Sequence, residues 1–465
     1  MVSANGATHS GKATSMAERF SFPDGFLWGT ATAGHQVEGG NEHSNWWAWE
    51  AEGLVADGTR SGRACDYWNR YPEDHALMEQ MGHNVFRLGL EWARLEPHEG
   101  EFDEGALAHY VEMLADLQSR GIQVCLTLNH WVLPLWFSDR GGWCDDRALG
   151  DWERFVRHVV PRLAPQVDLW ITLNEPMVPA LGGYLVAYHP PCRANPFAAA
   201  KVVRRLLAAH AVAYRVIHEL VPSAPGGGPT QVGFAAACQL FRPFHEGGLL
   251  RRLEGLVARI AARVSYRAWD LSLERGEAVF PYGFGGAIEG LRDSVDFVGM
   301  NYYTRVSVRL SGNTFSNVKS VGTTPPPGIE TTEMGWEVYP PGFHTVLMES
   351  WERFRKPIYI TENGCCETGD DMRRRYLLSH LHQVHRAIGD GADIRGYMLW
   401  SFHDNFEWRE GFQKRFGIVE IDHADPDLRR RPRKSAVMYA AIIGENGLTD
   451  EIVEQYSPGA LDPWR

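Results

Sequence analysis

Val167-Asp168-Leu169-Trp170-Ile171-Thr172-Leu173-Asn174-Glu175-Pro176 is an apolar run that ends in a glutamate with an asparagine beside it. Pro357-Ile358-Tyr359-Ile360-Thr361-Glu362-Asn363-Gly364, with its glutamate 187 residues further on, repeats the arrangement. Both runs are continuously apolar rather than alternating, as suits strands buried on both faces. Six more runs of that character accompany them, at 26–29, 84–90, 122–128, 231–237, 295–300 and 394–400.

Most of these runs are separated by stretches with apolar residues at helical spacing. Residues 104–120 are one, followed by Gly121 as a plausible C-cap. Residues 151–163, 201–220, 343–354 and 372–387 behave alike. Strand-then-helix units repeated around eight runs predict an α/β chain folded as a single (β/α)8 TIM barrel with elaborated βα loops. No Ser/Gly-rich linker divides the 465 residues, so the reading is one catalytic domain over 19–450. A disordered tail is expected over 1–18, and a C-terminal extension packed on or near the barrel over 451–465. Residues 239–294 are expected to hold extra helices. Residues 304–339 read as a long loop, because Thr323-Thr324-Pro325-Pro326-Pro327-Gly328 resists regular structure.

Composition narrows the function. The net charge is −12, against general nucleic-acid binding and against strongly anionic polymers as main partners, although a local basic pocket remains compatible. Seventeen tryptophans imply a large core, a pocket that stacks flat rings, or both. Seven cysteines, an odd count without CxxC, resemble neither a disulfide framework nor a zinc ribbon, and fit a reducing cytoplasm. Residues 1–18 lack the apolar segment of a secretory signal, and no stretch of roughly 18 apolar residues could span a membrane.

In such barrels the active site gathers at the C-terminal strand ends. Glu175 follows the fourth run and Glu362 ends the seventh, so both face one mouth. Paired carboxylates on rigid strand ends are the equipment for splitting a glycosidic bond.

The wider motifs carry a family resemblance. Phe22 to Gly39 reads FPDGFLWGTATAGHQVEG, and Asn129-His130-Trp131 follows. The two glutamate motifs, Asn301-Tyr302-Tyr303, Trp400 to Trp408 (WSFHDNFEW) and Arg415-Phe416-Gly417 complete the set. In order and at predicted strand ends, they resemble the β-glycosidases of glycoside hydrolase family 1 over residues from about 20 to 445. The resemblance implies Glu362 as nucleophile and Glu175 as acid/base in a retaining mechanism. The ionised Glu362 should then raise the pKa of Glu175. It also implies Asn174 at the sugar 2-OH, with Arg87, Tyr303 and Asn301 supporting the nucleophile and transition state. Without the resemblance, Asn174 could equally cap the following helix. Gln36, His130, Trp131, Glu407, Trp408 and Phe416 would hold the terminal sugar, with Trp400 as the platform beneath it.

Two positions depart from the family pattern. Val132 stands where many members have Asp, and Met177 replaces a commoner aromatic residue. Glu407 and Phe416 disfavour a 6-phospho-β-glycosidase, although Lys414 is present. Trp336 is expected on the leaving-group side. The implied activity is hydrolysis of terminal β-glucosyl residues, with galactosyl or fucosyl tolerated, on small β-glycosides or oligosaccharides. No cofactor, metal, nucleic-acid or membrane partner is expected. A transglycosidase, a catalytically dead sugar-binding protein and an unrelated metal-using barrel enzyme stay open.

Two further signals invite other chemistry. His380, His382 and His385 lie on one predicted helix, where a solvated face is expected rather than a metal site. Arg429-Arg430-Arg431-Pro432-Arg433-Lys434 reads as a structural segment before the last helix.

Overall fold

The computed structural model describes residues 19–311, 320–323 and 325–463. The tail expected over 1–18 lies outside them. Eight parallel strands form the barrel: β1 (Leu27–Ala31), β2 (Val85–Gly89), β3 (Gln123–Thr127), β4 (Leu169–Asn174), β5 (Gln231–Pro243), β6 (Phe297–Ser311), β7 (Ile358–Asn363) and β8 (Ile394–Trp400). Their order is β5-β4-β3-β2-β1-β8-β7-β6, and pairing of β5 with β6 closes the ring. Each falls on one of the eight apolar runs.

The outer layer comprises α1 (Tyr67–Gln80), α2 (Glu104–Ser119), α3 (Ala148–Leu163), α4 (Pro196–Leu220), α5 (Gly248–Ala262), α6 (Ala268–Arg275), α7 (Pro340–Phe354), α8 (Asp371–Gly389) and α9 (Lys434–Glu445). Local chemistry sets several boundaries. The Asp103 side chain accepts from Ala106 N–H at the start of α2, and Gly121 beyond its end adopts φ +74°. The helices bury one stripe against the strands, where Trp28, Trp92, Trp152, Trp170 and Trp269 are fully enclosed. A second cluster, including Val85, Cys125, Ile171, Phe297 and Met398, plugs the barrel interior. Arg87 and Thr127 lie two residues beyond Val85 and Cys125, so strand alternation brings a polar layer above the plug.

Register irregularities aim the strand ends. The pairing slips between Ile171 and Asn174 on β4, and between Met300 and Asn301 on β6. Such slips re-aim side chains at barrel rims. Gly364 is required just past β7, since a Cβ there would run into the Trp400 carbonyl.

Two expectations need correction. The 304–339 interval is not all loop: β6 continues to Ser311 and pairs antiparallel with Ser320–Thr323, so Thr323 is in a strand. The helix bearing the histidines is not solvated along that face. His380 is enclosed, stacked 3.6 Å from the Tyr376 ring, because it faces the barrel side of α8. His382 is covered by Phe20 of the strand Arg19–Ser21, which pairs with Gly447–Thr449. Among the described residues, no group of His, Cys, Asp and Glu is arranged to hold a metal.

The extra helices between β5 and β6 are α5 and α6. In the basic segment, Arg430 forks onto Asp74 and Arg433 onto Asp404, both buried. Beyond α9, the helix Asp450–Tyr456 buries Ile452 and Val453, and Leu461 is also buried.

Candidate active site

The polar layer above the plug is one connected network. Arg87, fully buried on β2, donates from Nη1 to Glu362 Oε1 at 2.7 Å and to the Thr361 carbonyl at 2.9 Å. Its Nη2 donates to Asn174 Oδ1 at 2.6 Å, and its Nε to Thr127 Oγ1 at 3.1 Å. Tyr303 donates its phenolic proton to the other Glu362 oxygen at 2.7 Å. Asn301 donates to Glu175 Oε1 at 2.9 Å and to Asn174 Oδ1 at 3.1 Å, while Thr361 Oγ1 donates to Asn301 Oδ1. Thr361 thereby fixes the orientation of the Asn301 amide.

The two carboxyls are held in different electrostatic states. Burial, and then the charge of Glu362, push Glu175 up to about 8, against one opposing bond from Asn301. Burial raises Glu362 too, but Arg87 and Tyr303 both stabilise its ionised form. The shared charge therefore rests on Glu362 and the proton on Glu175. Such a pair can deliver a proton from one side of a bond and a nucleophile to the other.

A chain of donors sets the state of His130. Asn174 Oδ1 is occupied as an acceptor by Arg87 and Asn301, so its NH2 donates to His130 Nε2 at 2.9 Å. Burial holds His130 well below its ordinary pKa, and the nearby Arg87 charge adds to this. The neutral ring must then carry its proton on Nδ1, which has no partner among the described residues. Gln36 is complementary. Its amide nitrogen donates to the Phe406 carbonyl and to Glu407 Oε2, leaving a buried Oε1 without a partner among the described residues. One free donor and one free acceptor suit a polyhydroxylated ligand. Asn174 does not cap the next helix, Met177–Tyr184, which has no side-chain cap.

These groups surround a cavity of about 470 Å³. Glu175, Glu362, Asn301, Tyr303 and His130 line it, with the rings of Trp131, Trp336, Trp400, Trp408 and Phe416 as walls. Trp400 stacks near-parallel to His130 at 6.0 Å, and Trp131 lies 4.7 Å from Trp408. The Trp131 indole N–H is already committed to the Asn174 carbonyl, so this residue offers its ring face. Glu407 reaches the wall and is pushed up to about 8, first by burial and then by Glu362. Arg87, Asn174 and Gln36 adjoin the lining through their bonds to Glu362, His130 and Glu407.

Trp336 and Phe416 pack around Tyr303 at 5.4 and 6.0 Å. Lys414 lines the outer cavity, but its ammonium is bound to the Glu333 carbonyl. Val132 is buried with the tryptophans rather than lining the cavity, and Met177 is buried beside Glu175. Trp131, Glu175 and Trp408 all have left-handed backbones, with φ of 72°, 42° and 50°. Each such residue costs about 1–3 kcal/mol and persists only where its surroundings dictate it.

Several contributors escaped the sequence reading. Thr127 and Thr361 end apolar runs, and strand alternation from Val85 and Cys125 could have found the first. Tyr188, whose hydroxyl donates to Glu410 at 2.6 Å, and His189 form part of the rim with no local signal.

Comparison with known proteins agrees with this geometry. Residues 18–448 match the model for glycosyl hydrolase family 1. A 1,4-beta-D-glucan glucohydrolase of Thermotoga neapolitana is 34% identical over 92% of this chain and 99% of its own length. A beta-galactosidase of Saccharolobus solfataricus is 31% identical over 96% and 100%. The solved beta-glycosidase from Pyrococcus horikoshii superposes with a TM-score of 0.84 at 38% identity, covering 94% of this chain and 98% of that one.

Proposed function

This chain belongs to glycosyl hydrolase family 1 and is a β-glycosidase; on that premise we propose a retaining enzyme that releases terminal β-D-glucosyl residues, with galactosyl or fucosyl tolerated. The observation that carries the mechanism is the unequal treatment of the two carboxyls: two donors on Glu362, and a pKa pushed up to about 8 on Glu175. Glu362 attacks the anomeric carbon while Glu175 protonates the departing oxygen, giving a glycosyl ester on Glu362. Esterification removes the Glu362 charge. Glu175, ionised by giving up its proton, now stays so more readily and takes a proton from the attacking water, so two inversions give net retention. Asn174 sits between Arg87, Asn301 and His130, placed to meet the sugar 2-OH as charge develops.

The terminal sugar is held by the free His130 Nδ1–H, the free Gln36 Oε1, Glu407 and Trp408, over the Trp400 ring. Glu407, and Phe416 with no hydroxyl to offer, support an unphosphorylated sugar. Relatives named as glucohydrolases and as galactosidases support a glucosyl donor with tolerance at the hydroxyl that differs. Seven free thiols, two of them the adjacent buried Cys365 and Cys366, support a reducing compartment, and we place the enzyme in the cytoplasm.

Chemical rescue tests the roles. Glu362→Ala should abolish turnover of an aryl β-glucoside, with azide or formate restoring it through an α-configured product. Glu175→Ala should still cleave activated aryl leaving groups, with azide giving a β-product. Exchange of the two outcomes would reverse the assignment.

A further inference from the structure

The α5 helix presents a face that is left exposed among the described residues. It is anchored by Glu254, Ala258 and Ala262, and Glu254 accepts from His245 and from the Leu310 N–H. The one acidic residue of α5 is therefore spent inward. On the opposite face Leu249, Leu256 and Ile260 are exposed, Leu249 by 71%. Beyond its C-terminal end the Arg263 guanidinium donates to the Phe280 carbonyl, which ties the segment carrying Phe280 and Phe284 to the end of α5. Their rings lie 6.0 Å apart, 62% and 93% exposed.

A basic stripe flanks this apolar one. Arg242, Arg251, Arg252, Arg259 and Arg267 line a groove of about 640 Å³ between α5, the end of β5 and Glu349. Arg267 is paired with Glu349; among the described residues the other four have no carboxylate partner. On a chain of net charge −12 this is a local reversal of sign.

Exposed leucine and phenylalanine beside unpaired arginine is the pattern of a helix lying in a membrane interface. A second copy packed about a two-fold axis would bring arginines against arginines. A soluble polyanion would use the arginines but not the leucines. An anionic bilayer uses both, through acyl chains and headgroup phosphates. No helix of the described residues is long and apolar enough to cross a membrane, so the contact is peripheral. The sequence reading, which expected no membrane partner, tested only for spanning.

We propose that the α5 face, with Phe280 and Phe284, docks this enzyme on an anionic lipid surface. The inference does not depend on which glycoside is cleaved. The test is co-sedimentation of the full chain with vesicles of about three parts phosphatidylcholine to one part phosphatidylglycerol, against phosphatidylcholine alone, at low and high salt. Binding should need the anionic lipid and weaken with salt. Reversing Arg251, Arg252 and Arg259 to Glu should lower the partition coefficient by at least about fivefold per residue. Leu249→Ser with Phe284→Ser should lower it by about tenfold at unchanged salt dependence. The Tm of each variant checks its fold, since all five side chains are exposed.

Failure to bind anionic vesicles at low salt would overturn the proposal. So would binding that ignores the Leu249 and Phe284 changes, which would mark a soluble-anion site. Substitutions that alter oligomeric state but not vesicle binding would assign the face to self-association instead.

Discussion

Tyr303→Phe removes one hydrogen bond and little else. The phenol donates to Glu362 Oε2 at 2.7 Å, while its ring packs against Trp336 and Phe416, contacts that phenylalanine keeps. Burial, and then the Glu362 charge, hold the phenol far above its ordinary pKa, so it donates throughout an accessible pH range. A hydrogen bond to a charged group contributes about 1.5–3 kcal/mol, or about one to two pKa units. Arg87 still holds the other oxygen, so about one unit is expected. The sign follows from which form is stabilised. Tyr303 favours ionised Glu362, its loss raises the Glu362 pKa, and attack requires the ionised form. The acid limb of kcat/KM for an activated aryl β-glucoside should therefore move up by about one unit, with the alkaline limb moving less. An acid limb that stays in place, or moves down, would refute the charge partition.

The alkaline limb should fall near 8, where Glu175 loses its proton, and Asn301→Ala should move it up by as much as about one unit, because the lost bond favours the ionised form. Glu175→Gln should raise the Tm, by about 2 °C or more at pH 8. Folded Glu175 keeps its proton to about 8 whereas the unfolded group releases it near 4.5, so wild-type stability falls across that window. The gap to Gln should widen from pH 4.5 to 8 in scanning calorimetry, and a gap independent of pH would count against the raised pKa. Trp336→Ala should raise KM for aryl leaving groups by about 2- to 12-fold through lost stacking, with small alkyl glycosides little affected. Equal kinetics across alkyl, aryl and disaccharide substrates would remove Trp336 from the leaving-group side.

The barrel strands were legible because burial on both faces demands continuous apolar runs, and the glutamates because they end two of them. The outer half of β6 was not. Beyond Tyr303 it alternates Val306, Val308 and Leu310 with Arg305, Ser307 and Arg309, the mark of a half-exposed strand in a scheme tuned to buried ones. The covering of His382 depends on Phe20, carried there by the pairing of two strands far apart in sequence, which no local pattern records. At the site, family resemblance supplied the identities of Arg87, Asn301 and Gln36. It did not supply the proton on His130 Nδ1 or the free acceptor on Gln36. Those follow from counting which lone pairs Asn174 and Glu407 have already spent.

The account turns on a covalent sugar on Glu362. An activated 2-deoxy-2-fluoro-β-glucoside, which slows turnover of the ester, should inactivate the enzyme and add one fluorosugar per chain by intact mass. Peptide mapping should place that mass on the segment containing Glu362 and leave Glu175 unmodified. No adduct under conditions where substrate is turned over, or an adduct on Glu175, would contradict it.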